Sequence, residues 1–150
     1  MSVPASYDLN AVAAALAAVF NNLDTGETLG GVPLTLNAYA DVMGQIEVPA
    51  LVLELDDLVW DETMGGGSDS FTFLAHLLVE TQDEQVGQAR LRSFMSRDGG
   101  MGKIKAALEA DQTLGGLVSY AHMTGVRRIG NVVYNDVAYL GAELPIEVMS

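Results

Sequence analysis

The chain has 150 residues, 49% of them hydrophobic, with 20 carboxylates against 7 Lys and Arg and no cysteine. That length and apolar content suit one domain around a single core, and the absence of cysteine excludes disulfides and thiolate metal sites. A formal charge of −13 argues against gripping nucleic acid, because such binding depends on cations that displace phosphate counterions.

The charge is uneven. All the basic residues, Arg90, Arg92, Arg97, Lys103, Lys105, Arg127 and Arg128, lie beyond residue 89, whereas most of the carboxylates precede it. The N-terminus lacks the basic flank of a signal peptide, and its apolar segment is too short to span a bilayer. A soluble protein made in the cytoplasm, without membrane contact, is expected.

In chain order, residues 9–23 read as a helix capped by Ser6 or Asp8. Leu9, Val12, Leu16, Val19, Phe20 and Leu23 form its apolar stripe, and Asn21-Asn22 with Asp24-Thr25-Gly26 stops it. A strand is expected near 33–40, after the Gly30-Gly31 turn, and a cleaner one at 50–55 with Leu51, Leu53 and Leu55 on the core face. Residues 56–70 read as a long acidic, glycine-rich loop. Loops of that length inside compact domains are uncommon and are usually functional or disordered.

Residues 71–79 are apolar on both faces from Leu74 onward, as in a central strand. A helix is expected to open at Thr81, with Gly87, Leu91, Phe94 and Met95 inward and Arg90 and Arg97 on an outer face. A second short helix spans Lys103 to Leu108, and Gly115-Gly116 suits the reversal after it. Leu117–Thr124 reads as an interior strand, and the chain then turns through Gly125 to Gly130. Asn135-Asp136 reads as a two-residue hairpin turn. Beyond it Ala138, Leu140, Ala142, Leu144, Ile146 and Val148 alternate with Tyr139, Gly141, Glu143, Pro145 and Glu147. The apolar row must face a core. Pro145 cannot donate a ladder hydrogen bond, which predicts a sheet edge or a bulge there.

These C-terminal residues also carry a likeness. A helix, Asp111-x-Thr113-Leu114-Gly115-Gly116, a strand, and a hairpin ending in Tyr139-Leu140-Gly141-Ala142-Glu143-Leu144-x-Ile146-Glu147-Val148 resemble the C-terminal half of tail terminator proteins from long-tailed bacteriophages. The resemblance implies a small α+β subunit that forms a six-membered ring on the tail tube, stops its growth and presents a surface to the head. Its implied partners are other copies of itself, the tail tube protein and a head-side connector or stopper, with DNA passing through unbound. The implied place is the virion neck, after assembly in the host cytoplasm.

Catalytic motifs are weak. Gly102-Lys103 has Arg97 where a phosphate loop needs its first glycine and Ile104 where it needs a hydroxyl. Gly66-Gly67-Ser68-Asp69-Ser70 lacks the second glycine of a nucleophile elbow. His76 and His122 read as ordinary sheet residues. Asp56, Asp57, Asp61 and Glu62 could hold a hard cation but lack the spacing of a known loop, and a solvated loop is the simpler reading.

The expectation is therefore one α+β domain over residues 1–150, with a mostly antiparallel or mixed sheet of five or six strands. An N-terminal helix and two short helices between strands pack against it. No enzymatic activity, cofactor or metal is expected. Two interaction readings accompany it. Trp60 and Met64, apolar groups in an acidic loop, either dock on a neighbouring subunit or the tail tube, or Trp60 folds back onto its own core. Arg90, Arg92, Arg97, Arg127 and Arg128 either meet Asp56, Asp57, Asp61 and Glu62 of a neighbour or are plain solvated charge. A head-side connector, or a small acidic binding module or minor enzyme with a carboxylate cation site at 56–62, are the alternative functions.

Overall fold

A computed structural model describes residues 8–29, 32–41, 46–60, 69–81, 87–96, 99–134 and 136–150. Among them are three helices and eight strands. Helix α1 (Leu9–Phe20) opens at Asp8, whose carboxylate accepts the Asn10 N–H at 3.0 Å. Val12, Leu16 and Phe20 are buried along one face. The helix ends three residues earlier than its apolar stripe. Asn21 leaves the helical region, Asn22 turns left-handed at φ 62°, and the Asn21 side chain accepts the Ala38 N–H at 3.2 Å.

The segment expected as a stop and one strand is a hairpin plus a further strand. β1 (Asp24–Leu29) and β2 (Val32–Thr35) pair antiparallel in a small sheet of their own, and β3 (Asn37–Tyr39) follows after buried Leu36. β1 escaped prediction because Asp24-Thr25-Gly26-Glu27-Thr28 has no apolar alternation to reveal it.

The main sheet is mixed, in the order β3-β4-β5-β8-β6, with β7 also paired to β8. β3 runs parallel to β4 (Ala50–Val59), but only as far as Val52. β4 and β5 (Ser70–Thr81) are antiparallel, with a bulge between Leu55 and Asp57. Asp56 and Asp57 are therefore strand residues, not loop residues. Leu58 and Val59 continue β4 and Ser70 opens β5, while residues 61–68 of the expected loop lie outside the described residues. β5 is central as expected, and it extends to Thr81, which pairs with Tyr139; the helix start expected after Thr81 lies outside the described residues. Residues 82–86 are outside the described set, and helix α2 spans Gly87–Met95. Leu91 and Phe94 are buried, and Met95 packs against the core.

Helix α3 (Gly100–Glu109) buries Met101, Ile104 and Leu108. The Asp111 carboxylate accepts the Gly115 N–H at 3.0 Å, Leu114 is buried, and Gly115 and Gly116 adopt φ of 70° and 93°. Those left-handed angles are why glycine suits both positions. The strand expected over 117–124 is shorter, β6 (Tyr120–Met123), and it lies at the end of the strand order instead of in the interior. β7 (Arg127–Tyr134) begins inside the expected turn, and its ladder slips between Arg127 and Gly130.

β8 (Val137–Met149) is the spine of the sheet, with β5 on one side and β7 then β6 on the other. Pro145 is therefore not at an edge. Its carbonyl accepts the Thr124 N–H at 3.1 Å, so its ring nitrogen faces the same side, in the gap between the last β7 pair at Glu143 and the first β6 pair at Ile146. A proline is tolerated there because no ladder partner awaits an N–H. Leu140, Leu144, Ile146 and Val148 meet Leu51, Leu53, Phe71, Phe73 and Leu77 in one apolar cluster roofed by the three helices. The α+β class, mixed sheet and helix-covered face are as the sequence led us to expect.

Candidate functional site

The face of the sheet turned away from the helices carries the polar chemistry. Cross-strand pairing sets Tyr39, Val52, His76, Glu143 and Arg127 in one row across five strands. Glu54, one diagonal step away on β4, places Oε2 2.9 Å from Nε2 of His76. Glu143 is held by two guanidinium groups, with Arg127 Nε 3.2 Å from Oε2 and Arg128 Nη1 3.5 Å from Oε1. Its carboxylate is 14% exposed while Arg128 is 75% exposed, so the fork reaches from solvent onto a shielded acceptor. Arg128 sits at φ 53°, a left-handed position at the bulge that aims consecutive arginines at one carboxylate. The face is not uniformly open, because Ala50, Val52, Leu74 and Leu78 are buried in it.

The two edges of the sheet differ in charge. Past Val52, β4 loses its β3 neighbour and becomes exposed at Glu54, Leu55, Asp56 and Asp57. Asp57 Oδ1 accepts its neighbour Leu58 N–H at 2.9 Å. Trp60 follows at 71% exposure, so its ring does not fold back onto the core. On the other side, β7 presents Arg127, Arg128, Ile129 and Val133 to solvent.

The remaining candidates are dispersed. Arg92 is exposed on α2, and Lys105 pairs with Glu109 along α3 while Lys103 is half-buried. The backbone of Arg90 lies in α2, but its side chain, like Arg97, Asp61, Glu62 and Met64, lies outside the described residues. His122 stacks on Tyr120 of the same strand, with ring centroids 5.7 Å apart. Among the described residues no group of three or more His, Asp or Glu converges as a metal site. No helix among them is long and apolar enough to cross a membrane.

A cleft of about 360 Å³ lies between α2, α3 and the β6–β7 link, and its described lining is mainly apolar, with Met95, Met101 and Met123 beside Lys105. That lining offers shape and apolar surface without an acid–base pair.

The Glu143 fork and the Glu54–His76 contact were missed in the sequence. A two-residue turn at 135–136 in perfect register would set Arg128 opposite Glu143, so a signal for the fork was present; the bulge then brings Arg127 there instead. Glu54–His76 had no such signal, because it depends on the β4–β5 register across an undescribed connection. No protein-family model matches the chain, and neither does any curated protein.

Proposed function

We propose that the chain is a structural protein of the bacteriophage neck, a tail terminator that forms a ring, caps the tail tube, stops its polymerisation and joins it to the head. The observation that carries this reading is the order of its C-terminal elements. Helix α3, the Asp111–Gly116 reversal, β6 and the β7–β8 hairpin follow one another as in the family that the sequence resembles. A six-membered ring is the stoichiometry implied by that resemblance.

Two physical features agree with it. A head-to-tail ring requires each subunit to offer two unlike surfaces, and the sheet has an acidic edge and a basic one. A chain of net charge −13 also lets DNA slide past without gripping it. In this role the protein performs no reaction and needs no cofactor, and its partners are the tail tube protein below and a head-side connector above. Six like-charged copies repel one another, so assembly is helped by counterions or by basic partners.

The test is tail length by negative-stain microscopy in the phage with this gene disabled. Overlong tubes without heads are the expected result, since loss of the stop lets the tube keep growing. Tails of normal length beside unattached heads would move the protein to the head side of the neck. Intact, infectious particles would overturn the neck reading and return attention to an acidic binding module.

A further inference from the structure

Two stretches of sheet edge face outward at opposite ends of the strand order. On the β3 side of β4, residues Glu54–Val59 have no strand partner among the described residues. At the other end, β7 pairs only with β8, and the outer side of Arg127–Val133 has no strand partner among the described residues. An open edge with apolar side chains is a template for another strand, and such edges are normally covered or blunted. Leu55 and Val59 are exposed on the first, Ile129 and Val133 on the second. The first also carries Glu54, Asp56 and Asp57, and the second Arg127 and Arg128. Glu143 offsets one of the two arginines, so the second edge keeps a net positive charge, and each edge repels its own kind and attracts the other.

Resting on the ring reading above, we propose that the β4 edge of one copy adds to the β7 edge of the next, so that the sheet runs continuously around the ring. The occupant of each edge is a second copy of this chain. The contact is heterologous, as ring closure demands. Its direction follows from the fold. β4 is antiparallel to β5, β5 to β8 and β8 to β7, so β4 and β7 oppose each other within one subunit. Rotation about an axis along the strands preserves direction, so the strands also meet antiparallel between subunits. Matching acid to base then sets Glu54–Asp57 against Arg127–Gly130 and brings Leu55 beside Ile129. Both matched segments contain a bulge, between Leu55 and Asp57 and between Arg127 and Gly130. A bulge twists an edge away from a flat generic strand, which restricts the pairing to a partner shaped for it.

The chain has no cysteine, so single cysteines are unique reporters. Full-length Leu55→Cys and Ile129→Cys, both changed at exposed positions, are treated with a short bismaleimide alone and as a mixture. The expected result is a covalent dimer in the mixture and little in either variant alone. The doubly substituted chain should give a ladder. Adding Asp56→Lys and Asp57→Lys to the Leu55→Cys chain should lower the mixed yield roughly tenfold, since like charges then face each other. Dimers dominated by either variant alone would mean a self-complementary contact and overturn the proposal, as would equal yields in all combinations or none in any. Rings visible by microscopy without the mixed cross-link would sink the edge contact and leave the terminator reading standing. A mixed cross-link together with normal tails on gene loss would uphold the contact and sink that reading.

Discussion

Arg127 faces Glu143 across the β7–β8 ladder one residue out of the register set at the hairpin turn, because β7 carries an extra residue between Arg127 and Gly130. The slip lets Arg128 reach the other oxygen of the same carboxylate. Two exposed cations are thus fixed on one shielded acceptor. Glu143→Gln keeps the shape and removes the charge that holds the two guanidinium groups side by side. A loss of about 1–2 kcal/mol is expected, between that of an exposed ion pair and that of a hydrogen bond to a charged group, read as a lower urea midpoint with unchanged slope. An unchanged midpoint would mean that the fork is solvated charge without structural weight.

Arg128→Gly tests the other side of that arrangement. The φ of 53° is unfavourable for arginine and ordinary for glycine, whereas the ion pair it forms is long and exposed. The two effects oppose, so stability should stay within about 0.5 kcal/mol or rise. A drop of roughly 2 kcal/mol or more would show that the Arg128–Glu143 contact outweighs the backbone strain.

Gly141 lies opposite Leu78 on β5, and an added Cβ would sit 1.8 Å from the Leu77 carbonyl oxygen. Gly141→Ala must therefore push the two central strands apart. A loss of roughly 3 kcal/mol or more is expected in chemical denaturation, among the largest effects of a single methyl group. Gly125→Ala is the control, because a Cβ there meets nothing within 4 Å.

Trp60, at 71% exposure, contributes little to the stability of a single subunit. Trp60→Ala should shift its unfolding midpoint by no more than the equivalent of about 0.5 kcal/mol, while weakening the ring formation or tail joining that we propose. Assembly that proceeds as in the parent chain would remove Trp60 from the interface.

The C-terminal third was the most legible part of the sequence. Alternation from Ala138 to Val148 needs no partner to be read, since a strand with one buried face fixes which residues point inward. The Gly115-Gly116 reversal was equally plain, because it rests on backbone angles that few residues adopt; at the turn before β8 Asp136 has a φ of 66°, while Asn135 lies outside the described residues. Helix α1 was visible for the same local reason, although its end was set by Asn21 bonding to Ala38, a contact with a later strand.

Placement in the sheet was decided elsewhere. Pro145 read as a sheet edge or a bulge and the 117–124 segment as interior, whereas β8 is the spine, paired in regular register at Pro145, and β6 lies at the end of the order. Composition along a strand records how much of it is buried, and it does not record which neighbour buries it. The Asp56-Asp57 pair looked like loop because its acidity outweighed any pattern, yet β4 carries it past the point where β3 stops.

By itself the sequence determined the class of fold, the core-facing row of the last strand, the Gly115-Gly116 reversal and the separation of acidic from basic residues along the chain. Only the tertiary structure decided that acid and base fall on opposite sides of one sheet, on strands without an outer partner among the described residues, and that Arg127 and Arg128 converge on Glu143. The physical reason is range. Turns and alternation are encoded within a few residues, whereas strand order and bulged register arise from contacts between segments distant in sequence, where one extra residue changes which side chains meet.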